Sequence, residues 1–445
     1  MKNRMYSLGQ DDVGASLWRR AQQSIPGGGM LLSKRAEMFH PSLWPAYYRS
    51  ARGITVRDLD RRKFQDFYLM GVGTNSLGYA RREVDSAVTA QIRRGNMSSF
   101  NNPGEPRLAE QLVSMHPWSD MVRFTRTGGE AMAVAIRIAR AATARDHVAV
   151  CGYHGWHDWY LSLNLENPTG LDSLLLPGLE PNGVPSQLRS TNHAFEYGNI
   201  DPLMELVSTH QLAAVVMEVA RGATPDNAFL TKVRDLCSKN GIVLIFDECS
   251  TGFRESFGGL HLNIGVEPDI AMFGKALGNG YAVNAVIGRR EVMENAQKSF
   301  ISSTFWTEGI GTSAAIKTLE VMERTRSWEK ISSVGRDVKS GWNAIARELE
   351  LPISVAGLDA LASFKFIDSR SNVFKTFITQ EMLKRGYLAG TTFYASTEHS
   401  SRRISGYLDA LEGVMTFIAD KWDTAHFEQY LVGPEAHQTF RRLTN

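Results

Sequence analysis

The chain has 445 residues with 49 Lys and Arg against 47 Asp and Glu, a formal net charge of +2. That length implies at least two structural lobes, and the near-balanced charge gives no reason to expect nucleic acid or a membrane as partner. Three cysteines (Cys151, Cys237, Cys249) without C-x-x-C spacing argue against a disulfide framework and for a reducing, cytoplasmic setting. The first ten residues are polar, with no apolar signal core, and no run is long and apolar enough to span a bilayer.

In chain order, residues 14–24 read as a short amphipathic helix ended by Pro26-Gly27-Gly28-Gly29. Two short strands at 54–57 and 64–68 flank a turn at Asp60-Arg61, and helical periodicity follows at 82–94 and 105–115. The chain then alternates. Strand 122–125 leads to an Ala-rich helix from Glu130 to about Ala144; strands 148–151 and 213–217 follow, then helix 226–239 with Gly241 at its stop. Strands 242–246, 270–273 and 283–287 complete the series. Such alternation predicts a mainly parallel sheet covered on both faces. The loop-rich stretch 161–199 has the character of a lid or binding loop. Beyond about residue 315 long helices return, with mixed strands near 353–367 and 388–395. The expected division is an N-terminal segment 1–75 shared with a small α+β domain 315–445, around a large domain 76–314.

Four features fall at the carboxyl ends of predicted strands, where open α/β sheets place ligands. Thr127-Gly128-Gly129-Glu130 opens a helix, and its glycines and unpaired N–H groups suit a phosphate, although a plain tight turn would look the same. Tyr153-His154-Gly155-Trp156-His157 offers an aromatic to stack on a flat ring. A metal bound by His154 and His157 is the rival reading, and no third ligand cluster accompanies it. Asp247-Glu248 ends an apolar strand, so Asp247 needs a cationic partner: a pyridinium N–H, or Arg254 in a simple ion pair. Lys275, in Phe273-Gly274-Lys275-Ala276-Leu277-Gly278-Asn279-Gly280, lies between an apolar strand and a glycine-rich loop, where partial burial makes an amine nucleophilic. Together the four ask for a phosphorylated, flat, protonatable aldehyde; pyridoxal phosphate fits.

Here the chain resembles the class III aminotransferases, pyridoxal-phosphate enzymes of fold type I, and within them the glutamate-1-semialdehyde 2,1-aminomutase branch. The resemblance runs from Leu17-Trp18 and Pro26-Gly27-Gly28 through Thr127-Gly128-Gly129-Glu130-Ala131 and Tyr153-His154-Gly155. It continues in Asp247 to Arg254 with Gly258-Gly259, Pro268-Asp269-Ile270, Gly274-Lys275 to Gly280, and Gln380 to Leu383 with Arg385-Gly386. It implies a large domain with a mainly parallel seven-stranded sheet plus a smaller α+β domain. It also implies that Lys275 holds the cofactor as a Schiff base, that Asp247 pairs with the ring nitrogen, and that Tyr153 and Cys249 face the ring. Gly128 and Gly129 would hold the phosphate, His154 and Glu218 would line the cofactor site, and Thr304 would reach the phosphate of a neighbouring subunit in a homodimer. Lys275, Asp247 and Tyr153 are the catalytic set, and no metal is expected.

The sequence departs from the family pattern at several places. Thr127-Gly128-Gly129 stands for Ser-Gly-Thr or Ser-Gly-Ser, Cys249 for a valine or isoleucine, Val219 and Ala282 for prolines, Arg61 for a turn glycine, and Trp306-Thr307-Glu308 for a Gly-Gly-Asn type segment. The resulting expectation is an aminotransferase moving an amino group from a donor such as glutamate to a carbonyl acceptor, sugar-like or an amino-aldehyde; the alternative is a 2,1-aminomutase with the same catalytic residues. Trp306 and Trp44-Pro45-Ala46-Tyr47-Tyr48 read equally as a roomy acceptor pocket or as packing, and Ser33-Lys34-Arg35 as a substrate-carboxylate site or a surface charge cluster. A nicotinamide fingerprint at Gly71-Val72-Gly73 lacks its third glycine.

Overall fold

The computed structural model describes residues 5–9, 11–172, 174, 178–220 and 224–438. The chain forms two compact units, Arg82–Glu329 and the combined ends Met1–Arg81 with Lys330–Asn445.

The N-terminal part of the two-ended unit carries β1 (Tyr48–Arg52), β2 (Thr55–Asp58) and β3 (Lys63–Asp66). The strand β1 is almost wholly exposed, so no alternation marks it in the sequence. The β2–β3 turn places Arg61 at φ 65°, the left-handed region that a glycine adopts freely. Asp58 holds the turn by accepting from the Arg62 backbone N–H (2.8 Å) and from its Nε (2.6 Å). Gly71-Val72-Gly73 lies in a turn with no helix until Arg82, unlike a dinucleotide-binding strand–turn–helix.

In the middle unit the strands are β4 (Met121–Thr125), β5 (His147–Cys151), β6 (Asn192–Ala194), β7 (Leu212–Glu218), β8 (Val243–Asp247), β9 (Ile270–Phe273) and β10 (Asn284–Gly288). They form one seven-stranded sheet in the order β4-β10-β9-β8-β7-β5-β6. Only β10 runs antiparallel, against both β4 and β9. Residues on both faces of the central strands are fully buried, as with Val216 and Val215 or Ile245 and Leu244. A sheet covered on both sides requires those near-continuous apolar runs. The helix Gly128–Thr143 packs Ala131, Ala135, Ile138 and Ala139 into a core with Val150, Val216, Ile245 and Met272. It starts two residues before the sequence pattern suggests, because a capping box defines its N-terminus.

The stretch read as a lid is partly built into this unit. It contains the short helix Leu163–Glu166 and the edge strand β6, and Leu171 and Leu174 sit in the core. Asn164 accepts from Leu171 N (2.9 Å), and Asn192 donates to the Trp159 carbonyl (2.6 Å). Ser173 and Leu175 to Pro177 lie outside the described residues.

The C-terminal part of the two-ended unit supplies β11 (Ile353–Ala356), β12 (Leu361–Phe366), β13 (Tyr387–Leu388) and β14 (Thr392–Tyr394). A three-stranded sheet has the order β11-β12-β14, while β13 pairs parallel with β3, Tyr387 opposite Gln65. This unit's core centres on Trp342, fully buried, whose indole N–H donates to the Tyr407 hydroxyl at 3.0 Å. Trp44 stacks on Phe39 with ring centroids 4.1 Å apart, so it serves packing here.

Candidate active site

Because β5, β7, β8 and β9 run parallel, Cys151, Glu218, Asp247 and Phe273 finish at one end of the sheet. The antiparallel β10 begins at that same end, with Asn284 opposite Thr125 of β4. Glu218 lies opposite Asp247, and Asp247 opposite Met272. Segments distant in sequence therefore deliver their following residues to one place.

The first of these is the start of helix Gly128–Thr143. Thr127 Oγ1 accepts from Glu130 N (3.4 Å), and the Glu130 carboxylate accepts from the N–H groups of Thr127 (3.0 Å) and Arg126 (3.1 Å). The threonine hydroxyl is thus engaged in the cap, and the first-turn N–H groups of Gly128 and Gly129 have no acceptor within the helix. Those donors and the helix dipole favour an anion. Gly129 and Gly155 are sterically required. A Cβ on Gly129 would lie 2.7 Å from His157 Nδ1, and one on Gly155 would lie 2.8 Å from the Gly129 Cα. His157 Nδ1 is itself buried without a hydrogen-bond partner, a polar atom that a bound anion would satisfy.

Asp247 is 5 % exposed and needs a counter-charge. Its Oδ2 lies 2.8 Å from His154 Nδ1, and its Oδ1 accepts from Cys249 N at 2.9 Å. The other ring nitrogen of the buried His154 lies 3.2 Å from the Cys151 carbonyl. Both ring nitrogens therefore face protein oxygens. The sequence leaves Arg254 open as the partner of Asp247; Arg254 donates its Nε to the Ser250 carbonyl (2.5 Å). Both nitrogens of His154 are turned to Asp247 and the Cys151 carbonyl, so the geometry does not favour the metal reading of His154 and His157.

Lys275 follows β9 directly. Its φ of 38° is unusual for a side-chain-bearing residue, and its Nζ donates to Ser250 Oγ at 2.5 Å. Gly274 before it has no room for a Cβ, which would meet Asn284 Oδ1 at 2.0 Å and Cys249 Sγ at 2.9 Å. Cys249 Sγ also lies 3.5 Å from where a Gly128 Cβ would be, so one thiol connects the anion cradle to the lysine loop. Burial pushes that thiol up to about 11, with Lys275 pulling the other way. Cys249 therefore stays a neutral, small wall rather than a nucleophile. Tyr153, 42 % exposed, has its hydroxyl raised above the usual range by partial desolvation, opposed by the positive charge of Lys275. Its backbone N–H donates to Glu218 Oε2 at 3.3 Å.

Gly128, Gly129, Tyr153, His154, Glu218, Asp247, Cys249 and Lys275 thus come together. Thr304 does not join them within one chain: it is exposed, in the turn Thr304–Thr307, and its carbonyl accepts from Thr307 Oγ1 at 3.0 Å. Ser250 and Asn284 have no role in the sequence reading, and His157 entered it only as a metal ligand beside His154, not as a neighbour of the anion cradle. A polar Asn284 heading an otherwise apolar strand was the legible signal for one of them; Ser250 had none beyond lying in the acid motif. In the departure at Trp306-Thr307-Glu308, Glu308 caps the helix Gly309–Thr325, accepting from Ile310 N (2.7 Å) and Gly311 N (2.9 Å). It also lies 2.8 Å from Arg126 Nε, an ion contact without a directed hydrogen bond. Arg126 Nη2 donates to the Trp306 carbonyl (2.8 Å), fixing this segment beside β4.

Comparison with known proteins agrees with this arrangement. Residues 39–399 match the family Aminotransferase class-III. The chain is 31% identical over 375 residues to a 3-aminobutyryl-CoA aminotransferase of Cloacimonas acidaminovorans, covering 82% of this chain and 86% of that one. It is 30% identical over 391 residues to a glutamate-1-semialdehyde 2,1-aminomutase of Methanococcoides burtonii, covering 85% and 89%. An omega-transaminase from Sphaerobacter thermophilus superposes with a TM-score of 0.82 at 25% identity, over 92% of this chain and 98% of that one. The chain belongs to the class III aminotransferases, pyridoxal-phosphate-dependent enzymes of fold type I.

Proposed function

We propose that this aminotransferase moves an amino group from a donor such as glutamate to a carbonyl acceptor, with Lys275 as the residue that holds the cofactor covalently. The observation that carries the reading is the convergence of the Lys275 amine, the Asp247–His154 pair and the Gly128–Gly129 cradle at one sheet end. When bound, pyridoxal phosphate supplies an electron-accepting ring that stabilises negative charge at the substrate carbon.

The chain's own residues do the rest. Gly128 and Gly129 offer N–H groups to the phosphate, with His157 Nδ1 beside them. Asp247, held in place by His154, faces the ring N–H. Tyr153 and Cys249 bound the ring faces, and Glu218 orients Tyr153 through its backbone N–H. Lys275 would hold the cofactor, and its Nζ, kept in position by Ser250 Oγ, would move the proton at the substrate carbon as general base and acid.

The test is borohydride reduction of the cofactor-loaded protein followed by peptide mapping. The label should fall on residue 275, and Lys275→Ala should fold but lose both label and turnover. A label elsewhere, or wild-type turnover in that variant, ends the reading. A screen of amine donors for bleaching of the visible band then identifies the donor.

The 30% and 32% identity to two glutamate-1-semialdehyde 2,1-aminomutases favours a second reading, intramolecular transfer. Conversion of a single amino-aldehyde by enzyme charged with pyridoxamine phosphate, without any keto acid, would select it. A homodimer, with Thr304 reaching the neighbouring subunit, is part of the same proposal. It is supported by the exposed Phe100, Phe300 and Phe305. The segments that carry Phe100 and Phe305 adjoin, since Asn96 bonds Gly309 and Ile310. The three free cysteines fit a cytoplasmic enzyme.

A further inference from the structure

At the opposite end of β5 from Cys151, three histidines meet. His147 is the first residue of β5, so about four strand steps, or roughly 13 Å, separate it from the catalytic end. His193 lies in β6 opposite Ala149, and alternation along β5 puts His147 and Ala149 on the same face, so both imidazoles emerge together. The third, His210, caps the helix Asp201–Thr209 just before β7. The rings are close: centroids of His193 and His210 are 4.2 Å apart and those of His147 and His210 4.9 Å. One nitrogen from each histidine lies within 4.8 Å of the others, and all three residues are half-buried.

We propose that His147, His193 and His210 bind one divalent transition-metal ion of the zinc, nickel or copper class, clipping the edge strand β6 to β5 and to the end of the 201–209 helix.

The donor chemistry selects this class. Three imidazoles without a carboxylate suit borderline metals and not calcium or magnesium, which demand oxygen. The spacing suits it as well. His147 Nδ1 and His193 Nε2 are 3.1 Å apart, while two nitrogens on a tetrahedral zinc stand about 3.4 Å apart. Without an ion, one of those two nitrogens has to donate to the other; with one, both lone pairs find the cation.

The surroundings prepare His210 as a ligand. Thr209 Oγ1 sits 2.8 Å from His210 Nδ1 and gives its own proton to the Glu205 carbonyl (2.9 Å). The hydroxyl oxygen is therefore left to accept from Nδ1–H, which fixes the tautomer with its lone pair on Nε2. Metal-binding histidines are oriented by such an outer hydrogen bond. Three protein ligands leave a fourth position for water. Its location away from the lysine makes the role structural: β6 is only three residues long and pairs on one side only, and edges of this kind gain most from a clamp.

The experiment uses untagged holoenzyme, dialysed against chelator and titrated with Zn2+ by calorimetry, with thermal unfolding followed in parallel. One ion per chain and a rise in Tm are expected, since an ion that binds only the fold stabilises it. His193→Asn and His210→Gln should each weaken zinc binding at least about 100-fold and abolish the Tm rise, while amino-transfer turnover stays unchanged. That unchanged turnover reports that the variants fold. Cu2+ loading should add an electron paramagnetic resonance signal split by several equivalent nitrogens. Wild-type zinc affinity in either variant, or no uptake by the parent protein, overturns the proposal.

Discussion

Substituting Gly274 by alanine tests how tightly the lysine loop is built. Gly274 has φ −160° and ψ −146°, extended backbone that alanine also adopts, so the cost is one of contact rather than of backbone strain. The new methyl would sit 2.0 Å from Asn284 Oδ1 and 2.9 Å from Cys249 Sγ. The first distance falls about 1.5 Å short of ordinary van der Waals separation. The obstacles come from β10 and from the segment after β8, so turning away from one presses on the other. Asn284 is 5 % exposed and cannot swing into solvent. The remaining escape is a shift of Gly274 itself, which carries Lys275 with it. Overpacking of this kind costs about 1–3 kcal/mol of stability. A displacement near 1 Å of a reacting group costs on the order of 100-fold in rate, equivalent to about 2.7 kcal/mol of barrier. Stopped-flow bleaching of the cofactor band by an amine donor measures the rate, and thermal unfolding the stability. Asn284→Ala in the same chain should recover much of the rate, giving a strongly non-additive cycle. Gly274→Ala with parental bleaching rate and parental Tm would refute the packing argument.

Trp342→Ala should cost about 3–5 kcal/mol, because the indole is fully buried against Phe364 at 4.8 Å and bonds Tyr407; a denaturation midpoint close to the parent's would contradict this. Two histidines should make both units acid-sensitive. Burial holds His116 in the middle unit and His399 in the two-ended unit at about 4, against 6.5 for a free imidazole. Their hydrogen bonds agree: each ring donates from one nitrogen, to Leu112 O or Asp66 O, and accepts at the other, from Gly259 N or Ser396 N. Below pH 6.5 the unfolded chain takes up protons that the fold refuses. Their stabilisation is therefore complete above 6.5 and disappears as pH falls towards 4, on the order of 3 kcal/mol for each. Urea midpoints that stay level from pH 7 to 4 would count against it.

The sheet was legible because its strands are apolar runs separated by helical periodicity, and a sheet buried on both faces leaves that trace. The short exposed β1 and the three-residue β6 carry no such pattern and were found only in the structure. The strand ends pointed to Lys275, Asp247 and the glycine pair because each breaks a local rule, a charge after an apolar run or glycine at a helix start, and to Tyr153 as an aromatic just past a strand end. The partner of Asp247 was less clear. Arg254 is nearer in sequence, but the chain path after β5 returns His154 to it. The three-histidine cluster was invisible for the same reason. Its members lie on three elements and share no motif spacing, and only the pairing of β5 with β6 draws them together.

The pairing of β13 with β3 has a consequence for synthesis. Gln65 leaves the ribosome long before Tyr387 exists, so the first three strands emerge without the neighbour that completes their sheet. Residues 82–329 can meanwhile collapse around their own core, because a domain folds once its last strand is out. Phe64 and Phe67, buried in the finished protein, stay uncovered during that interval. The nascent amino-terminal region therefore carries uncovered apolar side chains until the last strand is made, and a truncation before residue 387 leaves the outer edge of β3 without its parallel neighbour.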